Sequence, residues 1–270
     1  MKKLALALAA TAAFAGQMGT QAIAADMPAR VTKAPPPIVA PVANWTGCYV
    51  GGGGGYGLFH QENRDFVDGP PRFQLTDTYT ASGQGWFGTV QGGCDYQFGG
   101  IGPWQIVVGA FADYDFADIS GQRVAASLVS VGNEKLTDTW AVGGRIGVLV
   151  TPQLLTYLSG GYTESKFGRT NYTNLLGAPF GQPVGIFQGA TTYNGWFIGS
   201  GYEYALNFLP GLFWKTEYRA SHLDRQTVAY RDVLTGLPIG LSSDQEKWVH
   251  TVRSELVWRF NWGGPVVAKY

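Results

Sequence analysis

Residues 248–260 read WVHTVRSELVWRF. Taken alternately, one row is Trp248, His250, Val252, Ser254, Leu256, Trp258 and Phe260, and the other is Val249, Thr251, Arg253, Glu255, Val257 and Arg259. Successive side chains of a β-strand point to opposite faces. The stretch is therefore predicted to be one strand with an apolar, aromatic face and a face that collects charge. A soluble lipocalin-like barrel would do the reverse, burying apolar residues and wetting its outside.

Working outward, period-2 segments of about 11–14 residues recur near 45–58, 84–98, 104–117, 138–150, 155–167, 192–205, 212–223 and 246–260. Even positions stay lipid-compatible, as in Trp86, Val90, Tyr96 and Phe98, or Trp140, Val142, Ile146 and Val148. Odd positions gather Asp95, Asp113, Asp115, Arg145, Glu203, Lys215, Glu217, Arg219, Arg253, Glu255 and Arg259. Outward charges come only near loop ends, at Asp138, Glu164 and Lys166. Tight turns at 99–103, 151–154 and 206–211 alternate with stretches of about 20 residues at 59–83, 118–137, 168–191 and 224–245, expected to be loops. An even number of strands with short turns at one end and long loops at the other is the habit of outer-membrane barrels. The predicted fold is all-β, an eight-stranded antiparallel up-and-down transmembrane barrel over 45–260.

Composition agrees. The 270 residues hold 19 Lys+Arg and 19 Asp+Glu, so the chain lacks the basic footprint of a nucleic-acid surface. Charged residues make up 14%, well under the roughly 25% of ordinary soluble domains, and there are 39 glycines. No run reaches the ~18 apolar residues of a spanning helix, the longest being Leu4 to Ala15. That run follows Met1-Lys2-Lys3 and precedes Ala22-Ile23-Ala24, so residues 1–24 are expected to be a secretory signal peptide. Residues 25–44 carry five prolines and read as a periplasmic linker.

All nine tryptophans fall at or just beyond predicted strand ends. Trp45, Trp104, Trp214, Trp258 and Trp262 are expected on the short-turn side, with Trp86, Trp140, Trp196 and Trp248 toward the long loops. Two aromatic girdles follow, where an indole is stable between headgroup and acyl chain. An eight-strand barrel is just wide enough for its own side chains. Buried charges must be paired, so the inward acids and bases are expected to plug the lumen as a network. A narrow polar path for ions is the other reading. In a first hairpin centred near Pro70-Pro71, Cys48 and Cys94 stand equally far from the turn and share parity, which suggests a cross-strand disulfide. Two free outward thiols are the alternative.

Trp45-Thr46-Gly47-Cys48-Tyr49-Val50-Gly51-Gly52, then Gly55-Tyr56-Gly57, resembles the opening strand of the alphaproteobacterial outer-membrane immunogenic proteins, small porin-like members of the OmpA-type eight-strand barrels. Ala112-Asp113-Tyr114-Asp115-Phe116-Ala117-Asp118, Gly160-Gly161-Tyr162, Gly201-Tyr202-Glu203-Tyr204-Ala205, Lys215-Thr216-Glu217-Tyr218 and His250-Thr251-Val252-Arg253 extend the likeness over nearly the whole chain. Departures fall at Cys48, where an aromatic is usual, and at Phe111, where an acid often stands. The resemblance implies outer-membrane residence, a structural or weak porin role, antigenic surface loops, and no catalytic residues.

Other candidate chemistry is thin. Gly52-Gly53-Gly54-Gly55-Tyr56-Gly57 satisfies G-x-G-x-x-G without the strand–turn–helix setting of a dinucleotide site. His60, His222 and His250 lack metal-ligand spacing. No catalytic residue, cofactor or metal ligand is expected. Leu256, Trp258 and Phe260 resemble the signal read by the barrel-assembly machinery, leaving 261–270 as a periplasmic tail or a continuation of the last strand. The expected role is envelope-structural with surface-exposed loops. A weak porin and a loop-borne adhesin or ligand binder are the alternatives. Expected partners are outer-membrane lipid, lipopolysaccharide and the assembly machinery, with a monomer in the membrane, both termini periplasmic and the long loops extracellular.

Overall fold

A computed structural model describes residues 43–99, 105–125, 128–175 and 179–260. The signal segment, most of the Pro-rich stretch, Trp104, Trp262 and the tail at 261–270 lie outside them. The described residues form no α-helix; they are strands β1 (Gly47–Val67), β2 (Phe73–Gln74), β3 (Tyr79–Phe98), β4 (Ile106–Ala125), β5 (Ser130–Thr151), β6 (Leu154–Phe167), β7 (Thr170–Asn174), β8 (Pro183–Gln188), β9 (Thr191–Ala205), β10 (Leu212–Asp232) and β11 (Pro238–Phe260). Eight of them, β1, β3, β4, β5, β6, β9, β10 and β11, follow one another round an antiparallel ring. It closes where β11 returns to β1, in continuous register from Cys48↔Phe260 to Val67↔Leu241.

The strands overrun their sequence-based bounds at one end. The stretches at 59–83, 118–137 and 224–245, expected as loops, are mostly strand, as is half of 168–191. β6 continues past 168–169 into β7, which pairs with β5, and β8, which pairs with β10, leads through 189–190 into β9. The ring therefore stays eight staves wide to its distal end. At about 3.3 Å per residue and a tilt near 40°, the 21 residues of β1 rise roughly 50 Å, against an apolar band of about 25 Å. The periodicity faded for a physical reason. Beyond the band the outward row turns from apolar to polar (His60, Glu62, Arg64) while the inward row holds Gln61, Asn63 and Asp65, so both faces look alike to a hydrophobicity pattern.

Within the band the two faces are distinct. Val252, Leu256, Trp258 and Phe260 are exposed while Arg253, Glu255 and Arg259 are buried. Parity fails above two bulges, between Leu136 and Asp138 and between Leu223 and Gln226. Each inserted residue flips the strand beyond it, so Glu134, Leu136, Val228 and Tyr230 point inward from even positions.

β1 carries five consecutive glycines, 51–55, and the inward ones are sites of close approach. A Cβ on Gly55 would stand 2.2 Å from the Val252 carbonyl oxygen and 2.6 Å from the Phe87 ring. The bare strand leaves its share of the lumen to Phe87 and the long side chains of β11. On the opposite face, Val252→Arg would set a guanidinium against lipid. Its expected cost is about 2–4 kcal/mol, read as a lowered urea midpoint in bilayer-mimetic vesicles. An unchanged midpoint would contradict this assignment of faces.

Candidate functional site

The lumen holds the chemistry, and barrel alternation builds it: odd side chains of neighbouring staves converge there. Asp95, Arg145, Glu203 and Arg259 come from β3, β5, β9 and β11, every second stave of the ring. Arg145 donates from Nε to Asp95 Oδ1 at 2.9 Å and from Nη1 to Glu203 Oε2 at 3.0 Å. Arg259 donates from Nε to Glu203 Oε1 at 2.9 Å and from Nη1 to Asp95 Oδ2 at 2.7 Å. Two acids and two guanidiniums thus form a closed, electrically neutral ring across the interior. All four side chains are buried.

A second cluster lies farther along. Arg219 meets Asp113 through two bonds of 3.0 and 2.8 Å, and its Nε donates to Glu217 at 3.0 Å. Arg253 bridges Asp113 and Asp115 at 3.3 and 2.9 Å. Lys215 lies 3.5 Å from Glu217 and 3.7 Å from Glu255, and donates to Gln91 at 2.7 Å. The Tyr157 hydroxyl donates to Glu217 at 2.9 Å. Every lumenal charge expected from the sequence joins one of these two clusters.

Sequence reasoning missed a third, distal cluster. Lys247 pairs with Glu134 at 2.8 Å and donates to Gln61; Arg123 donates to Gln188 at 2.6 Å; Tyr79 and Tyr230 donate to Asp65 at 3.0 and 3.1 Å. Lys247 and Arg123 have the inward parity and were legible on that rule. Glu134 was hidden by the β5 bulge. Among the described residues the buried charges number eight acids and seven bases, so the filling is close to neutral.

Aromatic layers separate the ion pairs. Phe111 stands 6.1 Å from Phe197, with Arg219 over both rings at 5.6 and 4.3 Å. Tyr49 and Tyr157 flank Arg145 at 4.8 and 5.0 Å. A narrow cavity remains between the second cluster and Phe87, Ile119, Leu136 and Val249. There the Asp115 Oδ1, Thr251 Oγ1 and Arg253 Nε atoms lack protein partners.

The tryptophans divide. Trp86, Trp140, Trp196, Trp214, Trp248 and Trp258 occupy outward positions. Trp45 does not: it is fully buried at the lumen's short-turn end, 4.9 Å from Phe213 and beneath Arg259 at 5.0 Å, its indole donating to the Pro152 carbonyl at 3.3 Å. Its odd number carried that information. Cys48 and Cys94 face each other across β1 and β3, with Cα atoms 3.9 Å apart, and are joined as a disulfide. Leu256, Trp258 and Phe260 form the exposed row of β11.

The three histidines sit on the outer surface near the upper edge of the band. His222 Nε2 lies 3.0 Å from Glu246, and His250 Nδ1 lies 2.8 Å from the Tyr218 hydroxyl. Among the described residues no cluster of His, Cys, Asp and Glu is arranged to hold a metal. Beyond the band, burial disfavours the charged form of Asp244, but the hydrogen-bonded Arg72 guanidinium outweighs it and holds the carboxyl below the usual range. Hydrogen bonds from His222 and Arg225 likewise lower Glu246.

A closed antiparallel ring with an apolar belt outside and paired charges inside defines a β-barrel of the outer-membrane class. The chain is homologous to the 31 kDa outer-membrane immunogenic proteins of Brucella melitensis and Brucella suis, 28% identical over 255 residues that cover 92% of this chain and 98% of each relative. No protein-family profile matches it. Among solved structures it is similar to the outer membrane protein OprG of Pseudomonas aeruginosa, at 8% identity and a TM-score of 0.45, covering 82% of this chain and 100% of that one. Neisserial surface protein A is similar at 14% identity and a TM-score of 0.33, covering 80% and 98%.

Proposed function

We propose that this protein is an outer-membrane barrel with a structural and surface-displaying role, and that its lumen is a solid filling with no transport path. The ring of Asp95, Arg145, Glu203 and Arg259 carries the reading, because it spans the interior from alternate staves with each guanidinium held by both carboxylates. Opening it means stripping buried charges of their partners. The proposed orientation puts the distal strand extensions and their tips outside the cell and residues 43 and 260 at the periplasmic end. The name of the Brucella relatives, outer-membrane immunogenic proteins, supports surface exposure. Lipid and lipopolysaccharide are the proposed surroundings of the apolar belt, and the assembly machinery the reader of Leu256, Trp258 and Phe260. The proposed protein is monomeric and performs no catalysis.

Single-channel recording on the purified, refolded protein in planar bilayers tests this. No steady open level is expected from the wild type. A steady wild-type conductance would favour the weak porin.

A further inference from the structure

β1 is the strand whose own side chains say least about where it should pair. Against β3 its successive partners run Gly51↔Gln91, Gly52↔Val90, Gly53↔Thr89, Gly54↔Gly88 and Gly55↔Phe87, so the glycine run offers no side chain to meet those of β3. Register is weakly specified in glycine-rich strands, and a slip of two residues keeps every side chain on its own face. A short turn would fix the pairing, but residues 68–78 intervene between the two strands. The same strand must then receive β11 along its other edge. An error in the first hairpin is therefore passed to the closing seam.

One covalent contact removes the ambiguity. Cys48 stands opposite Cys94, with Cα atoms 3.9 Å apart and the two sulfurs bonded. A slip of two residues would move these Cα atoms about 7 Å along the strands, out of reach of the bond. On its other side Cys48 is level with Phe260 of β11. The bond thus marks the rung where β3, β1 and β11 come level at the short-turn end. Beyond the glycines Tyr56 packs on Trp86 at 4.9 Å. An aromatic ring can find another neighbour after a shift, and a disulfide cannot.

We propose that the Cys48–Cys94 disulfide is a register clamp, made before the barrel closes, that sets β1 against β3 and so determines where β11 lands. The timing follows from position. Both cysteines have the even, outward parity and share the lipid-side rows with the exposed Val50, Tyr96 and Phe260, where a protein oxidant has no approach in the finished barrel. In the unfolded chain both thiols are open. The bond forms by two exchanges. One thiolate attacks the disulfide of an envelope protein oxidant, and the other then displaces that oxidant from the mixed disulfide. The two thiols give up two protons and two electrons, and the oxidant leaves as a dithiol. The inference needs the apolar outer belt but not an assignment of which end of the barrel faces the cell exterior.

The test refolds the full chain from urea into detergent micelles and measures the yield of heat-modifiable barrel. Relative to the oxidised wild type, C48S/C94S and the wild type kept under dithiothreitol should each yield roughly tenfold less. Moving the clamp separates register from mere tethering. Leu58 and Gln84 are partners farther up the same ladder, with the parity and pair type of Cys48 and Cys94. L58C/Q84C, added to C48S/C94S and oxidised before refolding, should restore the wild-type yield. L58C/S82C in the same background closes a loop of nearly equal length but holds β1 two residues out of place, and should give no barrel. Wild-type yield from C48S/C94S or from the reduced chain overturns the proposal, as does failure of L58C/Q84C to rescue. Equal yields from the two engineered chains overturn it too, since the disulfide would then be a tether on the unfolded chain and nothing more.

Discussion

Arg145→Met is expected to lower the unfolding free energy by about 3–5 kcal/mol, the cost of removing one partner from a buried ion cluster. In the wild type both Asp95 and Glu203 accept from Arg145 and from Arg259. The variant leaves two fully buried carboxylates to share one guanidinium. Urea titration in detergent should show a lower midpoint with an unchanged slope, since the surface exposed on unfolding stays the same. Arg145→Lys should fall between the two proteins, because an ammonium keeps the charge but cannot fork to two carboxylates. A loss under about 1 kcal/mol would mean that water already reaches the ring, and the solid-lumen reading would fall with it.

The second large effect falls on closure of the barrel. A Cβ at Gly53 would stand 2.1 Å from the Ser254 carbonyl oxygen and 2.7 Å from the Glu255 Cα, both backbone atoms of the closing strand. No side-chain rotation relieves such a contact, so Gly53→Val should yield no heat-modifiable barrel. Its neighbour is the control. A Cβ at Gly52 meets only the Thr89 carbonyl oxygen, at 3.5 Å, and Gly52→Val should assemble at nearly the wild-type yield. Equal yields from the two variants would refute the β1–β11 register.

The pair also shows what was legible beforehand. Inside the apolar band the two faces meet opposite solvents, so alternation in 248–260 was enough to place Val252 outside and Arg253 inside. The pairing register of Cys48 with Cys94 was likewise readable, because hairpin symmetry and parity agreed. Outside the band both faces are polar, and strand could not be told from loop: Gln61, Asn63 and Asp65 alternate with His60, Glu62 and Arg64 without any contrast in hydropathy. Bulges defeated parity at Glu134 and Tyr230, since an inserted residue leaves no mark in composition. Trp45 was misplaced for another reason. Its position at a strand end suited a girdle, yet its odd number shared the inward row of Tyr49, and parity was the stronger signal.

Closure by the last strand has a genetic consequence. β11 is hydrogen-bonded along both edges, to β10 and to β1. A ribosome that stops short of residue 238 therefore releases a chain in which two long edges have no mate, each a target for envelope proteases and a seed for aggregation. Nonsense alleles should behave as nulls wherever in the first seven staves they fall, with no graded series between early and late stops.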